Sequence, residues 1–306
     1  MTALLARDRG RVAIVGGGPA GFFLADALSR EAGVAVDLLE RLPFPFGLVR
    51  YGVAPDHQGT KAVTRTFART MARDGVRLLG GVEVGRDLSL AELRRYADAV
   101  VLATGAIAGR RIDFPGAGGP GSIAAFDLIR WINGHPHSPR PAVPERTETV
   151  AVLGHGNVAL DVARLLAGGA PRLAGSDANP EFLDWLRRQP LRRVLLCGRG
   201  GPERTRFSPE MLVELGKLPG VSLTRAGDAA VDAQYAGEGS AAGAAAAIAA
   251  LPRRAAEGAV AVELLFGRRP LRFDGRELLL EEAGGQGHRV PAELVVHAVG
   301  QHAVAA

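Results

Sequence analysis

RVAIVGGGPAG, residues 11–21, decides the fold. An apolar run enters a turn in which Gly16, Gly18 and Gly21 stand in a G-x-G-x-x-G pattern with Pro19 and Ala20 inside it, and FFLADALSREAG then continues as a helix. Gly16 permits a tight turn, Gly18 lets a pyrophosphate approach the backbone, and Gly21 lets helix and strand pack closely, with the helix N-terminus facing the phosphates. About 20 residues on, a second apolar strand, VAVDLLE, ends at Glu40, placed to accept hydrogen bonds from an adenosine ribose. Strand, glycines, helix and acid fall in register, so the stretch reads as a dinucleotide-binding turn. Further along, DAVVLATGA at 98–106 is another buried strand that runs into Thr104, Gly105 and Ala106. Gly105 joins the candidate cofactor-binding residues, although small residues ending a strand also serve plain packing.

A second turn lies at TVAVLGHGNVALDVARLL, residues 149–166. Gly154, Gly156 and Ala159 fit G-x-G-x-x-A, with Asn157 and Val158 between them, before an amphipathic helix. The following strand, RRVLLCGR, ends at Gly198 and Arg199 rather than at an acid. An acid there pairs with a free 2′-hydroxyl, whereas arginine suits the extra 2′-phosphate, so NADP is expected over NAD. Between turn and strand, SDANPEFLDWLRRQ reads as an inserted helix capped by Asp177 or Asn179 and stopped by Pro190. Two such units imply an α/β fold of two Rossmann-like dinucleotide-binding domains, a flavin on the first and a nicotinamide on the second.

Composition bounds this reading. A chain of 306 residues, 47% hydrophobic, favours two domains. No apolar run reaches the roughly 18 residues of a membrane span, and the strand at Arg11–Val15 begins too early for a signal peptide; no membrane association and a cytoplasmic location are expected. Cys197 is the single cysteine, which excludes an intrachain disulfide, a CxxC redox pair and a Cys-rich metal site. Electron chemistry then needs an organic cofactor or a partner, and a thioredoxin reductase relative is disfavoured. The formal charge of +5 rests almost wholly on arginine, since Lys61 and Lys217 are the only lysines. It permits an acidic partner; the arginines are scattered without a nucleic-acid motif. His135 and His137 lack a third metal ligand nearby.

Four stretches, IVGGGPAGFF, PFGLVRYGVAPDH, LGHGNVALDVARLL and GRGGPERTRF, carry a resemblance to the adrenodoxin reductase-type ferredoxin-NADP reductases. The similarity runs from about Arg11 to Gly220 and returns at VPAELVVHAVG. It implies an FAD-binding domain over 1–106, to which 294–306 returns, and an NADP-binding domain over 107–293. It further implies that Leu48 and neighbouring backbone contact FAD, and that His57, linked to Glu214, sits where the nicotinamide meets the isoalloxazine. The family reaction moves a hydride from NADPH to the flavin and single electrons onward to an iron-sulfur protein. From the residues alone, PFGLVRYGVAPDHQ at 45–58 is too broken for a strand or helix, and Asp56 suits an N-cap with His57 in the first turn.

The chain departs from the family at three places. Gly200 follows Arg199 where the family has a second arginine, with Arg204 or Arg206 as substitutes in another register, and Met211 replaces a glutamate. GSAAGAAAAIAALPRRAAEGA reads as partly helical, and VAVELLFGRRPLRFDGRELLLEE as hairpin-like strands around Asp274-Gly275. Family members continue further, through a segment that covers the flavin, so the chain reads as C-terminally shortened, with FAD held more weakly. The alternative to a working reductase is a weak or silent nucleotide-binding remnant, or one completed by another chain. In QGTKAVTRTFARTMARDG, Lys61, Arg65, Arg69 and Arg73 recur every fourth residue and form a cationic stripe for an acidic ferredoxin-like acceptor, while Val63, Phe67 and Met71 face the core.

Overall fold

Four parallel strands, β1 (Gly10–Val15), β2 (Val34–Glu40), β3 (Val76–Gly80) and β4 (Ala99–Leu102), form the first sheet in the order β3-β2-β1-β4. They belong to a computed structural model that describes residues 10–226, 240–282 and 285–303. The chain divides into two units, one running to Ala108 and resuming at His302, the other Gly109–Gln301. In the first, α1 (Pro19–Leu28) follows β1; α2 (Gly47–Tyr51), α3 (Gln58–Lys61) and α4 (Thr64–Met71) join β2 to β3; α5 (Leu90–Tyr96) leads into β4. Successive β1 residues face opposite sides, so Ile14 packs with Phe22, Leu38 and Phe67 while Ala13 and Val15 pack with Leu39 and Leu93. The α5 start is a capping box between Ser89 and Glu92. Asp37 lies fully buried on β2. Burial would raise its carboxyl pKa, but hydrogen bonds from Arg77 at 2.7 Å and Arg11 at 2.8 Å outweigh it and hold the group below the usual carboxylate value.

The second unit repeats the plan on a larger scale. Its strands are β6 (Ser122–Ala124), β7 (Thr149–Leu153), β8 (Arg193–Cys197), β9 (Val221–Ala226), β10 (Val260–Leu265) and β14 (Leu294–His297). They pair in parallel in the order β6-β14-β7-β8-β10-β9. Its helices are α6 (Ala125–Ile132), α7 (Asn157–Ala167), α8 (Gly169–Arg172), α9 (Pro180–Arg187), α10 (Pro209–Gly216) and α11 (Ser240–Ala249), with a 3₁₀ turn at Pro202–Arg204. Two short strands, β5 (Ala108–Gly109) and β15 (Gln301–His302), mark where the chain passes from one unit to the other. Of the two cap candidates for α9, Asn179 occupies the position and accepts the Glu181 amide at 3.0 Å.

Two expectations change. Leu294–His297 does not return to the first sheet: β14 lies between β6 and β7, hydrogen-bonded on both sides and buried along its length. An apolar LVVH run satisfies its backbone there on two edges and buries all four side chains, which an edge position would not. The stretch from Val260 is only partly hairpin. Its first strand, β10, enters the parallel sheet, while β11 (Arg268–Phe273) and β12 (Glu277–Glu282) pair antiparallel around Asp274-Gly275, and β13 (Gly287–Pro291) adds a third strand. Asp274 pins the turn by accepting the amides of Arg276 and Glu277 at 3.0 and 2.9 Å. Of the Ala-rich stretch, Gly239 falls outside the described residues and α11 accounts for its first half. No helix among the described residues is long and apolar enough to cross a membrane.

Candidate functional site: two dinucleotide cradles

The two glycine turns are built by the same bonds. Gly16 donates to Leu39 O at 2.7 Å and Gly154 to Cys197 O at 2.8 Å; Ala103 donates to Val15 O at 2.8 Å and Ala298 to Leu153 O at 2.9 Å. Both first glycines are left-handed, φ 117° and 133°, and a Cβ on either would overlap the carbonyl oxygen of Ala103 or Ala298. They are therefore required by the fold. Gly18 and Gly156 differ, because they are extended N-caps of α1 and α7 with no side-chain cap bond. A Cβ on Gly156 would meet nothing within 4 Å, and one on Gly18 only Gly47 Cα at 3.9 Å. Each helix thus begins with first-turn amides that no side chain caps, those of Ala20 and Gly21 and those of Asn157 and Val158, beside open space; Pro19 has no N–H, and the Ala159 amide donates to Gly156 O at 3.0 Å. A pyrophosphate fits both places.

Glu40 closes the first cradle. Its Oε2 accepts the Gly17 amide at 3.0 Å and Oε1 the Leu42 amide at 2.9 Å, which leaves each oxygen a further lone pair for a ribose hydroxyl. The broken stretch after it is strapped onto the turn: Phe46 N donates to Gly17 O at 2.7 Å, and a Cβ on Gly47 would stand 2.9 Å from Gly18 Cα. Phe46 holds φ 91° to do so, the single non-glycine residue with positive φ among those described. The stretch is more regular than its prolines and glycines implied, since Gly47–Tyr51 make the helical turn α2, with Leu48 exposed on it. His57, not Asp56, takes the N-cap position of α3; it is half-buried and its side chain makes no cap bond. Gly105 is left-handed with open space around it.

The second cradle differs first at its strand end. Leu39 lies opposite Val15 and Cys197 opposite Leu153, so Gly198 stands where the first unit has Glu40. No carboxylate can face a 2′-phosphate from that position. The space over Gly198 is filled by the His155 imidazole, whose Nε2 donates to Leu196 O at 2.9 Å and whose ring packs edge-on to Phe266. Burial lowers the His155 pKa against the opposing pull of the Leu196 carbonyl. Arg206 N donates to His155 O at 2.8 Å, the counterpart of the Phe46 bond, and Ser208 N donates to the Asn157 side chain at 2.9 Å. Val158 and Arg199 are exposed, and Ala159 is buried where Gly21 stands in the first turn. Glu214, on α10, has Oε1 at 3.5 Å from both Arg164 and Arg172, so it ties α10 to α7 and α8. His155 and the Arg206 tether were missed from sequence; the signal was a bulky residue between two glycines.

The cationic stripe does not survive as four residues. The helix is interrupted after Lys61, which is buried with Nζ 3.4 Å from Arg50 O. Arg73 is drawn to Asp26 at 2.8 Å and to Ser29 at 2.8 Å. Arg65 and Arg69 remain exposed, and Phe67 is buried, with Val63 and Met71 packed against its cluster as expected.

Two parallel-sheet units, each presenting an uncapped helix start at a glycine turn, define a dinucleotide-binding α/β protein with places for two cofactors. Residues 10–183 match the model of the family described as pyridine nucleotide-disulphide oxidoreductase. A probable ferredoxin/ferredoxin-NADP reductase of Mycobacterium tuberculosis is 45% identical over 202 residues, 66% of this chain and 35% of that protein. The mitochondrial NADPH:adrenodoxin oxidoreductase of Salvelinus fontinalis is 43% identical over 211 residues, 69% of this chain and 42% of that one. The solved structure of Mycobacterium tuberculosis FprA in complex with NADPH superposes with a TM-score of 0.90 at 33% identity, covering 97% of this chain and 72% of that one. The chain belongs to the pyridine nucleotide-disulphide oxidoreductase family, in its ferredoxin-NADP and adrenodoxin reductase branch. It spans between about a third and a half of the length of these curated relatives.

Proposed function

We propose that the chain is an NADPH-dependent flavoprotein reductase that binds FAD on its first unit and NADPH on its second and passes electrons to a ferredoxin-like iron-sulfur protein. The observation that carries this reading is the pair of cradles with identical backbone geometry and opposite strand ends, Glu40 in one and Gly198 followed by Arg199 in the other. Gly18, Ala20 and Gly21 present amides to the FAD pyrophosphate, Gly16 and Pro19 shape the turn that aims them, and Glu40 accepts from the ribose. The backbone at Phe46-Gly47, with Leu48, belongs to the flavin side because the strap holds this loop against the turn, and Gly105 because the chain after β4 runs beside the same turn, Ala103 N donating to Val15 O at 2.8 Å. Gly154, Gly156, Asn157, Val158 and Ala159 receive the second pyrophosphate, and Arg199 the 2′-phosphate. Bound FAD supplies an acceptor that takes a hydride and releases electrons singly. His57 and Glu214 orient the nicotinamide end in this reading; neither acts as a nucleophile, and Glu214 is held in place by Arg164 and Arg172.

The test is direct. Protein reconstituted with FAD and desalted should keep the flavin absorbance, NADPH should bleach it anaerobically faster than NADH, and the reduced protein should reduce an added ferredoxin. Loss of all absorbance on desalting would favour a nucleotide-binding remnant instead. Retained flavin bleached equally by NADH would overturn the second-unit assignment.

A further inference from the structure

We propose that Arg206 is the second arginine of the 2′-phosphate site, acting with Arg199 to select NADP(H) over NAD(H). The inference rests on the reading that the second unit binds NADPH. Arg199 alone stands at the end of β8, because Gly200 follows it. A side chain at position 200 has no room: its Cβ would lie 2.7 Å from the Arg204 Cδ, since the Arg204 stem covers Gly200. Arg204 is itself drawn to Glu203, 3.6 Å away.

Arg206 is placed differently. Its amide donates to His155 O at 2.8 Å, and an isolated parallel bridge pairs Arg206 with Gly156, the N-cap of α7. Two residues on, the Ser208 amide is held by Asn157, the first residue of the same helix. The β8 end is fixed from its other side by Gly267 N to Gly200 O at 3.1 Å and Arg268 N to Gly198 O at 2.9 Å. Two guanidinium groups are thus carried on backbone that is pinned before any ligand arrives, one at the strand end and one on the bridge to the helix cap. Both are exposed, and neither makes an ion pair among the described residues. With no carboxylate at Gly198, nothing at that position opposes a dianion. Guanidinium forks suit phosphate oxygens, and their planar geometry costs less freedom per hydrogen bond than a lysine does.

Calorimetric titration of the FAD-loaded protein with NADP+ and with NAD+ tests this without turnover. Arg206→Ala should weaken NADP+ about tenfold, the ratio that about 1.4 kcal/mol corresponds to, flatten its salt dependence and leave NAD+ within twofold. Arg199→Ala should do the same, and the double variant should bind both nucleotides alike. The tether uses the Arg206 backbone, so the melting temperature should hold in Arg206→Ala and in Arg206→Gln. Unchanged NADP+ affinity in Arg206→Ala, with loss in Arg199→Ala, would remove Arg206 from the site and leave the NADPH reading standing. Equal weakening of NADP+ and NAD+ would make Arg206 a support of the turn and overturn the selective role. A parent protein with no preference for NADP+ would sink the inference and the NADPH reading together.

Discussion

His297 sits wholly inside the second sheet with both ring nitrogens engaged. The Ile112 amide donates to Nδ1 at 3.0 Å, so the proton belongs on Nε2, which donates to Ser122 Oγ at 2.9 Å; that hydroxyl in turn donates to Ala117 O at 2.8 Å. Every donor has an acceptor only while the ring is neutral. Burial, with a smaller push from Arg111, pulls the His297 pKa from 6.5 to about 4. Because the unfolded chain then binds the proton more readily, the stabilisation is complete above about pH 6.5 and is lost as pH falls toward about 4, on the order of 2–3 kcal/mol in all. Urea unfolding between pH 7 and 4.5 should show His297→Gln losing much less stability on acidification than the parent; equal slopes for both proteins would exclude His297 as the source. The apolar run LVVHAVG was legible as a strand, and His297 lies inside it. Its partners lie 185 and 175 positions away, and nothing local announces them.

At the level of elements, α4 shows how far periodicity carries. Phe67 was legible because apolar residues repeating every fourth position must turn to one side. The fate of the cations was not, because Asp26 on α1 claims Arg73 and the chain leaves helical hydrogen bonding between α3 and α4, which puts Lys61 under the Arg50 carbonyl. Arg73→Ala should therefore cost on the order of 1 kcal/mol in urea unfolding by cutting the tie between the turn after α4 and Asp26 on α1. Arg65→Ala should cost almost nothing, since its side chain is exposed; matching losses for the two would refute the distinction. As a docking surface the proposal shrinks to Arg65 and Arg69. Reversing both to glutamate should raise the KM for an acidic ferredoxin several-fold at low salt, an effect that fades as salt screens it, while turnover with a neutral dye holds. Low-salt ferredoxin kinetics equal to the parent's would leave the helix without that role. The same limit governs the loop before it: prolines and glycines were readable as irregular chain, but the left-handed Phe46 that fastens it to Gly17 O answers to a tertiary bond.

At the scale of the whole molecule, one device is used twice and altered at its strand end and within the turn, as at His155 and Ala159. Strand, glycine turn and helix were legible in both copies because apolar run, spaced glycines and helical run follow one another directly in sequence. The placement of β14 was not, since an apolar strand of four residues suits either sheet and only the pairing partners decide. Repetition separates glycines that serve the fold from glycines that serve a ligand. Gly16→Ala and Gly154→Ala force a Cβ onto a backbone carbonyl at a left-handed φ, and should destabilise by roughly 2–3 kcal/mol or more. Gly18→Val and Gly156→Val place a Cβ without a clash at a φ any residue adopts, −85° and −109°. These two should cost about 1 kcal/mol, the loss of a favoured N-cap, yet fill the place where a phosphate must approach the helix amides. Gly18→Val should then fail to retain FAD after desalting while binding NADP+ within twofold of the parent by calorimetry. Gly156→Val should keep its flavin and lose NADP+ by more than tenfold, beyond the ~1.4 kcal/mol that factor represents. Urea unfolding of all four variants supplies the control. If Gly18→Val kept FAD as tightly as the parent, or if either valine abolished both ligands together, the two cradles could not be the separate phosphate sites assigned to them.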